Sequence, residues 1–164
     1  MLEGIDVVNT SLISADLIVI GIALAGVLVF SYTIGRDYGV TLLQALYMSA
    51  FTFFFLPNLV ASLPDLGMDR SVANLIYLGI LFAITLFILM RNGFFESPMV
   101  PSMWEIGVFG VLFTGLASVI VISQLPPEMV AGFSPITQAA FTGDPLLAFW
   151  ALAPVGFWVL IKGE

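Results

Sequence analysis

Residues 72–90 read VANLIYLGILFAITLFILM, nineteen consecutive positions without charge or proline. At 1.5 Å per residue, a helix of about that length crosses the roughly 30 Å hydrocarbon core of a bilayer. A soluble domain would have no use for a helix apolar on every side, so this stretch predicts a membrane span. Four further apolar segments flank it. The first covers about 17–33 and stops at Gly35-Arg36-Asp37-Tyr38-Gly39, where two glycines and a charge pair end an apolar helix. The second covers about 40–60, with Pro57 and Pro64 predicting a kink or unwinding before Pro64-Asp65-Leu66-Gly67. The fourth covers about 104–125 and is terminated by Pro126-Pro127. The fifth, about 146–161, is short and carries Pro154 in its middle, so it reads as a span, a tilted element or a re-entrant one.

Between the fourth and fifth segments, Ser134-Pro135 has the form of an N-cap followed by N1. It predicts a short helix over about 134–141, closed by Gly143. Phe133, Ile136, Ala140 and Phe141 are spaced to share one side, which suits an interfacial helix. The expected fold is therefore an all-α, polytopic bundle of four to five transmembrane helices plus one interfacial helix. It forms a single transmembrane domain over 1–164.

Composition agrees. Of 164 residues, 60% are hydrophobic and 9% charged, too few polar groups to cover a soluble fold. The net charge of −7 leaves no basic patch for phosphates, so nucleic acid is not an expected partner. The chain has no cysteine and no histidine, which removes thiolate chemistry and the commonest zinc and haem ligand. No cofactor or metal is expected. Met1 to Ser14 carry Glu3 and Asp6 but no Lys or Arg, so the first apolar segment is expected to be retained, not cleaved as a signal peptide.

Five spans would put Arg36, Arg91 and Lys162 on one side and Arg70 on the other. The positive-inside rule then predicts a cytoplasmic C-terminus and an external N-terminus. Glu3, Asp6, Asp16, Asp65, Asp69, Glu128 and Asp144 would lie outside. Four spans would move the C-terminus to the side of Arg70.

Small residues recur on helix faces. Gly107, Gly110, Thr114, Ala117 and Ser118 line one side of the fourth segment, with Gly115 off it. Thr41, Ala45 and Ser49 repeat on the second, Gly21 pairs with Ala25 on the first, and Gly79 pairs with Ala83 on the third. Because lipid tails give helices no hydrophobic drive to associate, such faces promote close packing, either within one chain or between chains.

Chemistry-bearing groups are sparse. Asp16 opens the first helix and Glu105 the fourth, where a carboxylate complements the N-terminal dipole. Polar candidates within the spans are the uncharged Gln44, Thr52, Thr85, Thr114 and Ser118. No Ser/His, Cys/His or carboxylate pair falls within the spans, and the single lysine, Lys162, is near the chain end. Asp65 and Asp69 could share a cation, though solvated loop acids are the commoner case. The phenylalanines at 51, 53, 54 and 55 suit lipid-facing bulk, with Trp104, Trp150, Trp158, Tyr32, Tyr38 and Tyr77 as interfacial anchors.

In outline the chain resembles the CvpA family, the colicin V production proteins of bacterial inner membranes. The resemblance is carried by Asp16 opening the first span, the Gly35 to Gly39 turn leading to Leu42-Leu43, Gly107, Gly110 and Gly115 in the fourth span, and the amphipathic stretch after it. The chain departs from the family in the single Arg of that turn, a longer first span and the added segment 146–161. The resemblance implies an inner-membrane protein linked to export or envelope homeostasis, and it supplies no catalytic residues. The residues themselves predict a non-enzymatic scaffold or accessory subunit whose partners are the bilayer and either itself or another membrane protein. The alternative is a small-solute or lipid transporter or channel built on proline-broken helices.

Overall fold

The computed structural model describes residues 14–34, 38–56, 64, 67–92 and 102–162. Every element among them is helical: α1 (Ala15–Ile34), α2 (Tyr38–Phe55), α3 (Arg70–Asn92), α4 (Met103–Gln124), α5 (Pro127–Ala131), α6 (Pro135–Phe141) and α7 (Asp144–Lys162). Three of these, α1, α3 and α4, are long and apolar enough to cross a bilayer. The shorter α2 is apolar over Gly39–Phe55, and α6 with α7 forms a pair bent by 63° that could make a fourth crossing. The second segment's predicted extension past Leu56 and its kink at Pro57 lie outside the described residues, as does the turn through Arg36 and Asp37.

Helix α4 is the centre of the bundle. Some 56% of its span is buried, against 6% for α1 and 11% for α3, although all three are strongly apolar. A helix hydrophobic all round must be covered by protein or by lipid. Here α4 takes the first solution, whereas α1 and α3 take the second: Ile18, Val19, Ile22 and Val29 on α1, and Ile80, Ile84, Phe87 and Ile88 on α3, all point outward. Exposed apolar surface on this scale identifies a membrane protein.

The main core joins α2, α3 and α4 through Leu43, Leu46, Phe53, Leu78, Phe109, Leu116 and Ile120. On α2 the small row Thr41, Ala45, Ser49 is buried, so it serves packing within the chain. Ser49 satisfies its own hydroxyl by donating to the Ala45 and Leu46 carbonyls at 2.7 and 3.0 Å. Helix α1 runs antiparallel to α4, with Leu28 against Gly110 at one end and Asp16 near Ile122 at the other.

Helix α7 also packs against α4, and two features fix it there. The ring of Trp150 lies directly over Gly115, where an added Cβ would meet Cζ3 at 2.1 Å. In addition, the Tyr47 hydroxyl on α2 donates to the Ala151 carbonyl at 2.5 Å, within the turn interrupted by buried Pro154. Proline lacks the N–H that would bond the Trp150 carbonyl, so Tyr47 reaches the carbonyl next to the one Pro154 leaves free. Trp150 is therefore an internal packing residue and not the interfacial anchor expected of it. Its Nε1–H donates to the Ala140 carbonyl at 2.9 Å, and its ring stacks on Phe141 with centroids 5.6 Å apart.

Candidate functional site

The principal polar constellation gathers where α1 begins, α4 ends and α6 begins. Ser134 caps α6 as the sequence predicts, accepting from the Thr137 N–H at 3.2 Å with Pro135 in the first turn. Its backbone N–H and hydroxyl both donate to Asp16 Oδ2, at 3.1 and 3.0 Å. Asp16 therefore does more than complement the dipole of its own helix. It ties α1 to a segment 118 residues away.

This tether sets the rotation of α6. Thr137 and Phe141 turn inward, at 1% and 9% exposure, whereas Ile136 points out at 55%. The expected shared apolar side of Phe133, Ile136, Ala140 and Phe141 is thus divided. Phe141 joins Val119 and Ile122 in a second core, with Phe133, Ala140 and Trp150 packed around it. Gly143, at φ 107°, then turns the chain into α7 in a conformation that disfavours a side chain.

Below the tether lies a cavity of about 560 Å³ between α1 and α4. Its walls are mainly aliphatic, with Ser14, Asp16, Ser118 and Thr137 as the polar members. The Ser14 hydroxyl is shielded beside the Asp16 carboxylate. Among the described residues, no Lys or Arg lines the cavity.

The predicted small-residue positions divide in two. Gly110 is a true close approach, because a Cβ there would meet Leu28 Cδ2 at 2.6 Å. Thr114 is buried, and Ala117 and Ser118 face the cavity. By contrast Gly21, Gly79 and Gly107 have open space where a Cβ would stand. Ala25 and Ala83 are exposed with Gly21 and Gly79 on the outer surfaces of α1 and α3. The tightest glycine, Gly115, is the one the face pattern leaves out.

The remaining polar groups have mostly local roles. Glu105 Oε2 accepts from the Ser102 N–H at 2.6 Å at the start of α4. Asp69 Oδ1 accepts from the Ser71 N–H at 2.8 Å at the start of α3, while Asp65 lies outside the described residues. Thr52 donates to the Met48 carbonyl at 2.8 Å. Gln44 Oε1 and Thr114 Oγ1 are shielded and without a hydrogen-bond partner. No group of three metal-binding side chains occurs among the described residues. Phe51 and Phe55 stack at 4.6 Å on the exposed side of α2, in keeping with lipid-facing bulk. Comparison of the chain with protein-family models, with curated proteins and with solved structures gives no match.

Proposed function

We propose that this membrane protein is a non-enzymatic scaffold or accessory subunit that associates with a second copy or another membrane protein through the outer faces of α1 and α3. The observation carrying this reading is the outward position of Gly21 with Ala25 and of Gly79 with Ala83, on the two long helices that the bundle itself covers least. Small pairs at this spacing let helix backbones approach closely in lipid, and here the chain's own packing does not occupy them. The resemblance to the CvpA family fits an accessory role in the bacterial inner membrane. The apolar character of the cavity supports this reading over solute transport, which calls for a polar route through the bundle.

The native chain has no cysteine, so single-cysteine variants report cleanly. Ala25→Cys or Ala83→Cys should crosslink to a neighbouring chain in native membranes, whereas Leu116→Cys, buried in the main core, should not. Failure of both outer positions to crosslink would contradict the proposal. For orientation, five crossings with Arg36, Arg91 and Lys162 inside place a reporter fused after Glu164 in the cytoplasm. An external reporter would contradict that arrangement.

A further inference from the structure

The geometry points to a lipid site: the cavity between α1 and α4 holds one acyl chain of a bilayer phospholipid whose primary ammonium headgroup sits against Asp16. Ser14, Asp16 and Thr137 lie at one end, where α1 begins and α6 packs, while Ser118 lies toward the other, beside Ala117. From the Asp16 end the lining continues along α1 to Ala23 and along α4 back to Ala117. Seven residues from Asp16 to Ala23 rise roughly 10 Å, so the slot reaches well into one leaflet, whose hydrocarbon is about 15 Å deep. Its volume of about 560 Å³ lies within the range of ligand-binding cavities.

The slot opens toward lipid. Val19 and Val121, both in its wall, are 65% and 40% exposed, and Ala23 is exposed as well. A chain can therefore enter sideways from the bilayer.

Charge selects the headgroup. Asp16 receives two hydrogen bonds from Ser134 but, among the described residues, faces no Lys or Arg in the cavity. A carboxylate at the end of an apolar slot, without a cation of its own, favours a positively charged hydrogen-bond donor and disfavours an anionic headgroup. Phosphatidylethanolamine meets both requirements. Phosphatidylglycerol brings the same acyl chains without the cation. The site is also separate from the proposed association face, because Ala25 lies nine residues, about 180° around α1, from Asp16.

The test is native mass spectrometry of the full chain released from vesicles of phosphatidylethanolamine and phosphatidylglycerol in equal amounts. The expected result is one retained phosphatidylethanolamine per chain, preferred by about tenfold over phosphatidylglycerol, in line with a hydrogen bond to a charged group. Asp16→Asn keeps an acceptor for Ser134 and should abolish the preference while leaving helicity unchanged. Ala23→Phe, on an exposed wall, should block retention of either lipid. Equal retention of both lipids by the native chain, a preference that survives Asp16→Asn, or retention undiminished by Ala23→Phe would each overturn the proposal.

Discussion

Replacing Gly115 by leucine should prevent the chain from accumulating as a folded bundle, the largest effect expected of any single substitution here. A bare Cβ at this position would already lie 2.1 Å from Trp150 Cζ3 and 2.2 Å from Cε3. The ring cannot swing aside cheaply, because its N–H is committed to the Ala140 carbonyl and its face to Phe141. Relief would have to come from moving α7 away from α4, which would also strain the Tyr47 to Ala151 hydrogen bond. Gly115→Ala should cost about 1–3 kcal/mol, the usual range for overpacking a dense interior, and leucine more. Denaturant unfolding in detergent micelles measures the first, and steady-state level in membranes the second. Adding Trp150→Ala should recover much of the loss, since it removes the colliding ring. Gly107→Leu serves as the control: its Cβ would meet nothing within 4 Å, so it should be nearly neutral.

The second large effect is expected from Asp16→Ala. It removes the acceptor for both the Ser134 N–H and the Ser134 hydroxyl, at the only hydrogen-bonded junction found between α1 and α6 among the described residues. Alanine leaves the Ser134 N–H without a protein partner, and its hydroxyl with Thr137 Oγ1 alone, in a site bordered by aliphatic walls, which costs more than the net value of the lost bonds. The consequence is local. Helix α6 should loosen from α1 while the α2, α3 and α4 core persists, because neither Asp16 nor Ser134 belongs to that core. Limited proteolysis between Pro126 and Gly143 should therefore accelerate by roughly tenfold. Asp16→Asn should show a smaller increase, because it retains an oxygen for Ser134. An unchanged cleavage rate for the alanine variant would show that the tether does not hold α6.

Local signals in the chain were sufficient for most of the elements. Charge and proline punctuation delimits α1, α3 and α4 to within a few residues, and Ser134-Pro135 locates the start of α6. The arrangement of those elements was much less legible. Helices α1 and α4 are both apolar on all sides, so no periodicity distinguishes the one facing lipid from the one at the centre. The pairing of Asp16 with Ser134 joins positions 118 apart and leaves no mark in either local pattern. Gly115 carries no local signal for a related reason. Its partner is a tryptophan on another helix, and repeats of small residues along one face mark faces, not a single glycine under a ring. Apolar spacing alone does not give the rotation of α6, because Ser134 and Thr137 make the inward contacts.

What links the architecture to function is the contrast between small residues used inside the bundle and those left on its outside. Gly110 and Gly115 bring α1 and α7 against α4, so they are spent within the chain. Gly21 and Gly79 are not. The most direct measurement is the crosslinking yield of Ala25→Cys in native membranes, with and without Gly21→Leu on the same helix face. The proposed association predicts a defined crosslinked species with Ala25→Cys alone and its loss when leucine fills the position one turn away, at unchanged protein level. A crosslink that persists with Gly21→Leu, or none in either variant, would contradict association through α1.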